Sequence, residues 1–201
     1  MSTPPKTNRH AAIGAGRPSP ERLQRFLDSL LPELTYSYVA SSRDWDPPYG
    51  WDVDTKRVQI GTTDQWDQAR QALRDWAMFD QADVLVFPAA PELKPDVQLV
   101  VAARFAGLWV LNGLRIVYVI DQPDRFGFGY GTLQRHAECG EERFLVERDQ
   151  DGVWFDLRAF SRPRHPGARA LKPLVRKRQA QFGRAAAEVM RLTLSGYPRP
   201  R

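Results

Sequence analysis

A chain of 201 residues with 42% hydrophobic and 26% charged residues is long enough for one globular domain with short extensions. No apolar run approaches the roughly 18 residues of a membrane span, and residues 1–20 lack the apolar core of a signal peptide. The single cysteine, Cys139, excludes an internal disulfide and a cysteine-based zinc site, so the expectation is a reduced loop thiol in a cytoplasmic protein.

The net charge of +5 is unevenly spread: from Arg162 onward eleven Lys/Arg face one acid, Glu188. Such asymmetry marks either an acidic partner, nucleic acid or an anionic membrane, or a solvated basic helix face docked on a more acidic body.

Residues 1–18 are rich in Pro, Gly, Ala and Ser without periodicity, and are expected to form a disordered tail. Ser19, Pro20 and Glu21 then give a helix start: a cap, a proline at the first position and an acid at the positive dipole end. Leu23, Phe26, Leu27, Leu30 and Leu31 form its apolar stripe, and Pro32 is its stop. Residues 35–39 are a strand candidate. Residues 43–54 form an aromatic, proline-rich loop, whose Trp45, Tyr49 and Trp51 either cover a pocket mouth or pin the loop to the body. Residues 56–60 are a weak strand.

Thr62 and Gln65 match a capping box. The helix they open is expected to run to Phe79, with Trp66, Ala69, Leu73, Trp76 and Ala77 buried at steps of three and four. Residues 84–87 are extended, and a proline-punctuated loop follows to Pro95. Residues 97–105 and 114–121 are strands joined around Gly107 and Gly113. Leu114, Ile116, Tyr118 and Ile120 share one face of the second, with Val117 and Val119 on the other, as in a central strand covered on both sides.

Residues 126–132 alternate large and absent side chains. Phe126, Phe128, Tyr130 and Thr132 line one face; Gly127, Gly129 and Gly131 leave the other bare. Bare faces imply a curved sheet or a close approach from behind. After a polar turn at residues 134–140, Glu142 shares a face with Phe144 and Val146, while Glu141 shares the other with Arg143 and Leu145. Asp151-Gly152 marks a hairpin turn. Val153, Phe155, Leu157, Ala159 and Ser161 form the apolar face of the return strand; Trp154, Asp156, Arg158, Phe160 and Arg162 form the other. A final amphipathic helix begins near Pro173. Its stripe is Leu171, Leu174, Val175, Phe182, Ala185, Ala186, Val189 and Leu192, with Arg178 standing where that stripe calls for an apolar residue. Residues 196–201 are expected to be a loose tail. Together the elements predict an α+β fold, a single domain over residues 19–195 with helices packed on one face of an antiparallel sheet.

The chain has no H-E-x-x-H, Cys/His cluster, Walker motif or G-x-S-x-G, and only three histidines, His10, His136 and His165. No metal and no cofactor is therefore expected. The candidate ligand-binding residues cluster around the glycine strand: Tyr130, His136, Glu141, Glu142, Arg158, Ser161 and Arg162, with Arg178 from the last helix. Glu142 is either an unpaired buried carboxylate fit for acid–base work or one half of a structural pair with Arg158.

The segments FGFGYGTL, GEERF and AFSRP, with LRDWAMF at residues 73–79, resemble the signature of a bacterial and plant family of unknown function. The similarity runs from about Leu34 through the final helix. That family resembles in turn the START-like helix-grip superfamily. The resemblance implies a curved antiparallel sheet wrapped around a long C-terminal helix, enclosing an apolar cavity. The function that follows is binding of a small, largely apolar molecule there. The alternatives are a metal-free isomerase, cyclase or hydrolase using Glu142 or His136, or weak, non-specific nucleic-acid binding through the basic C-terminal region. Oligomeric state is not legible.

Overall fold

The computed structural model describes residues 12–164 and 172–196. Eight strands and three helices run in the order β1 (Ala12–Gly14), α1 (Pro20–Asp28), β2 (Asp52–Gly61), α2 (Trp66–Arg74), β3 (Val84–Phe87), β4 (Gln98–Phe105), β5 (Leu108–Asp121), β6 (Arg125–Thr132), β7 (Glu138–Asp149), β8 (Gly152–Pro163) and α3 (Lys172–Leu194). The strands form one antiparallel sheet, in the order β2-β8-β7-β6-β5-β4-β3. The sheet curves, and α2 and α3 pack in its concave face. This is the helix-grip arrangement.

Alternation along β6, β7 and β8 fills the main core. Phe126, Phe128, Phe144, Val146, Phe155 and Leu157 meet Trp66, Leu73, Trp76, Met78 and Phe79 from the α2 region, and Ala186, Ala187, Met190 and Leu194 from α3. The convex face has its own cover, so the helices do not all lie on one side. Leu23, Phe26 and Leu30 of the α1 region pack on Val100, Ala102, Trp109 and Leu111.

Several elements depart from the sequence reading. Residues 12–14, assigned to the tail, pair with residues 109–111 of β5. β6 reaches only to Leu114 of β5, so β1 covers an edge that would otherwise present unpaired backbone groups. Residues 1–11, 165–171 and 197–201, which hold most of the two predicted tails and Leu171 of the predicted last-helix stripe, lie outside the described residues. The β4–β5 turn is two residues, Ala106 and Gly107, both at positive φ (49° and 81°), so β5 starts at Leu108 rather than Leu114. Residues 35–39 are not a strand. Their backbone lies behind β6, where Thr35 N–H donates to Thr132 O at 3.0 Å. β2 begins at Asp52, inside the predicted loop.

The helix opened by Thr62, whose N–H donates to Gln65 Oε1 at 3.0 Å, ends at Arg74. Trp76 adopts a left-handed conformation, φ 58°, and a 3₁₀ turn follows over Ala77–Phe79. The break buries Trp76, Ala77, Met78 and Phe79 consecutively. One face of an unbroken α-helix cannot bury four residues in a row.

A bulge between Ile116 and Tyr118 splits the predicted face of β5. Ile116 pairs with Tyr130, but Tyr118 pairs with Gly129 and Val119 with Phe128. The extra residue inverts the alternation beyond it. Leu114 and Ile116 face the main core, whereas Tyr118 and Ile120 pack with Leu145 on the convex side.

Candidate functional site

The glycines of β6 make room for tyrosines. A Cβ on Gly129 would lie within 3.0 Å of the Tyr118 ring, and one on Gly131 within 3.0 Å of the Tyr36 ring and hydroxyl. The two rings thus sit flat behind β6, and their hydroxyls converge on the convex face of β7.

Glu141 is the acceptor there. Its Oε2 takes hydrogen bonds from Tyr36 OH (2.6 Å) and Ala40 N–H (2.8 Å); its Oε1 takes them from Ser42 N–H (2.9 Å) and Ser42 Oγ (2.5 Å). Tyr118 OH lies 2.6 Å from Ser42 Oγ. Burial and the Glu141 charge push the Tyr36 hydroxyl well above its ordinary pKa, so it stays protonated and donating. Four donors on one carboxylate hold residues 36–42 on the back of the sheet.

A second convex cluster surrounds Asp156, which is 1% exposed. Arg143 Nη2 donates to Asp156 Oδ1 at 2.7 Å, and Arg158 Nε to the same oxygen at 3.0 Å. Arg143 Nη1 also donates to Arg43 O at 2.7 Å. Trp45 lies beneath Arg158, and Trp51 packs edge-on to Phe160 under Arg162. These aromatics pin the loop to the back of the sheet, while Tyr49 is fully exposed.

The concave face holds a cavity of about 210 Å³ between the sheet and α3. Phe79, Val84, Val101, Leu114, Leu157 and Phe182 wall it. Tyr130 and Glu142 face each other across β6 and β7, and Tyr130 OH donates to Glu142 Oε2 at 2.5 Å. Burial pushes the Glu142 carboxyl up to about 7, opposed by the Tyr130 hydrogen bond and reinforced by the charges of Asp54 and Glu138. Glu138 also rises to about 7, through burial and then the charge of Asp54. Its Oε2 accepts from Gln179 Nε2 at 2.7 Å. Asp54 is raised by burial, against the Arg176 guanidinium that binds it. His136 is pushed down to about 4, again by burial first. It is neutral at pH 7, and its Nδ1 accepts the Glu138 N–H at 2.9 Å.

Of the predicted site residues, Tyr130, His136, Glu141, Glu142, Ser161 and Arg178 line this cavity. Three do not bring their charge there. The Glu141 carboxylate and the Arg158 and Arg162 guanidiniums belong to the opposite face, because strand neighbours alternate. A Glu142–Arg158 pair is excluded for the same reason. Cys139 is buried in β7 rather than in a loop, with Sγ 3.1 Å from Thr35 O. His10 and His165 lie outside the described residues.

Glu138, Asp54 and Gln179 were missed. Glu138, Gly140, Glu142, Phe144 and Val146 share one parity, so running the alternation of β7 back through Gly140 would have found Glu138. Asp54 has the parity of Val58 and Ile60, but it was hidden in a segment read as loop. Among the described residues no three His, Cys, Asp or Glu side chains converge as a metal site. No helix among them is long and apolar enough to cross a membrane.

Residues 35–189 match a family model described as a domain of unknown function, DUF1990. A UPF0548 protein of Deinococcus radiodurans is 37% identical over 186 residues, covering 79% of this chain and 93% of that protein. A UPF0548 protein of Arabidopsis thaliana is 32% identical over 149 residues, covering 70% and 72%. Among solved structures, the hypothetical protein jhp0584 from Helicobacter pylori superposes with a TM-score of 0.51 at 12% identity, over 79% of this chain and 94% of that one. A START superfamily protein from Mycobacterium smegmatis aligns with a TM-score of 0.48 at 12% identity, over 73% and 99%. At such identities the likeness to the first of these is one of fold.

Proposed function

The chain belongs to the DUF1990 family of domains of unknown function, and from the chemistry of its cavity we propose that it binds a small, largely apolar molecule between the sheet and α3. The observation that carries this reading is a chamber of about 210 Å³ whose walls are mostly apolar, with a small set of polar side chains among them. Ligand sites combine apolar walls with a few placed polar groups. A dry cavity of about 150 Å³ already accepts benzene in another protein, so this one suits a ring-sized body. Tyr130, Glu142 and Arg178 line the cavity, and in this reading they orient the ligand. Thermal-shift and native mass-spectrometry screens of lipids, polyketides and isoprenoids test the reading. A ligand at a hundred times its Kd is expected to stabilise the fold by about 2.7 kcal/mol. An unchanged melting temperature across the whole panel, with no bound mass, sinks it.

The Tyr130–Glu142 pair favours a second reading, metal-free acid–base catalysis. A carboxyl near pKa 7 in an apolar site suits proton transfer at neutral pH. Under this reading Glu142→Gln abolishes turnover and leaves the fold intact; retained turnover rejects it. Nucleic-acid binding ranks below both. Of the basic residues in the C-terminal region, Lys172, Arg176 and Arg191 are already paired with Asp52, Asp54 and Glu188.

A further inference from the structure

The cavity has two polar ends of opposite sign, and α3 lies between them. Arg178 and Gln179 are successive residues, so their side chains leave the helix about 100° apart. Gln179 reaches Glu138 on the β7 side, at 2.7 Å. Arg178 points the other way, toward Asp83 just ahead of β3. There the cavity adjoins an open groove of about 420 Å³ bordered by Asp83, Arg104, Leu174, Lys177 and Arg178. Arg178 lines both spaces.

The hydrogen-bonding capacity of the two ends differs. At the inner end each carboxylate is partly satisfied: Asp54 by Arg176, Glu138 by Gln179, Glu142 by Tyr130. At the outer end three cations face one acid. Asp83 stands 3.9 Å from Arg104 and 3.8 Å from Arg178, too far for hydrogen bonds, so both guanidiniums keep donors for something else. Among the described residues no carboxylate pairs with Lys177. Guanidinium forks match oxyanions of planar or tetrahedral shape.

We propose that the ligand is an amphipathic anion, its apolar body in the cavity, its oxyanion held in the groove by Arg178, Arg104 and Lys177, and a hydroxyl at its far end donating to Glu142. This rests on the cavity-binding reading and names the ligand class. A cavity of about 210 Å³ suits one aromatic ring with a short acid tail, a little more than the benzene that a dry cavity of about 150 Å³ accepts in another protein.

Calorimetric titration of the full chain with three probes sharing one body tests this: 3-(4-hydroxyphenyl)propionate, the matching propanol and the matching propylamine. The propionate is expected to bind at least about tenfold more tightly than the propanol, the size of a charge-assisted hydrogen bond, with the amine weakest. Arg178→Gln, with circular dichroism unchanged, is expected to bring the propionate down to the propanol's affinity. If the propanol or the amine binds as well as the propionate, or if Arg178→Gln keeps the preference, the oxyanion assignment falls while cavity binding stands. If no probe binds although an uncharged apolar ligand raises the melting temperature, the assignment again falls alone. If nothing binds at all, both readings fall.

Discussion

The two faces of the sheet each carry a glutamate from β7, and they treat it in opposite ways. Glu141, on the convex side, is 3% exposed and receives four hydrogen bonds from Tyr36, Ala40 and Ser42. Glu142, one residue on, receives one, from Tyr130, and its carboxyl is pushed up to about 7. Burial alone therefore does not distinguish a structural carboxylate from one available for chemistry. The number of donors aimed at it does. A fully served carboxylate is a fastener; an under-served one in a cavity still has capacity for a ligand or a proton.

Removing the fastener gives the largest expected effect. Glu141→Ala leaves Tyr36 OH and the Ala40 and Ser42 N–H groups without their acceptor, and is expected to cost about 3 to 5 kcal/mol in urea unfolding. A loss below about 1 kcal/mol would place Glu141 in the same class as its neighbour and erase the contrast. Gly129→Ala attacks the same face through packing, since its Cβ collides with the Tyr118 ring. Overpacking of this kind costs about 1 to 3 kcal/mol. A neutral result would show that the ring moves freely.

On the concave face the sign reverses. The folded state holds the Glu142 proton up to about pH 7, while an ordinary glutamate releases it near 4.5. Between those values the folded protein binds more protons than the unfolded chain, so stability falls as pH rises through the window. Glu138 acts in the same direction. Glu142→Gln, which resembles the protonated form, is expected to stabilise the protein at pH 8 by about 1 to 2 kcal/mol, allowing for water in the cavity, and to change little near pH 4.5. Destabilisation at pH 8 would mean that the charged form is the one the fold prefers. The smallest effect is expected from Tyr130→Phe. Losing that hydrogen bond moves the Glu142 midpoint further up in a carbon-13 carboxyl titration; a downward move would contradict the pairing.

Much of this contrast is legible in the sequence, because it depends on pleat parity. The faces of β8 follow from alternation alone, as does the separation of Glu141 from Glu142. The bare side of β6 announces a close approach, though not by which side chains. The rest depends on single residues that reset the count. The bulge before Tyr118 moves that ring to the other face, and nothing in Ile116-Val117-Tyr118 marks it. The left-handed Trp76 ends a helix whose periodicity continues on paper. Glu138 was lost by starting β7 at Glu141, and Arg143–Asp156 joins residues whose partnership is set by strand register rather than spacing. In α3 the second half of the expected stripe holds, with Ala186 and Val189 buried and Phe182 packed on the core, whereas Leu174 is exposed and Gly183, Ala187, Met190 and Leu194 are buried beside it.

That distribution divides α3 along its length. Every buried residue of the helix lies at or beyond Gly183, in the half that packs on α2 and the core. The half over the cavity, residues 172–182, is fastened by Lys172–Asp52, Arg176–Asp54 and Gln179–Glu138. Polar fastenings at a surface release at a smaller free energy than a packed core, so a helix can exchange its amide hydrogens from one end while the other stays closed. Deuterium uptake in residues 172–182 is expected to outrun that in residues 183–194 and to accelerate with salt, which screens ion pairs and spares apolar contacts. Equal protection of the two halves would contradict this. With the expected outcome a ligand needs no dedicated door, because the roof of the chamber opens at a smaller free energy than its walls.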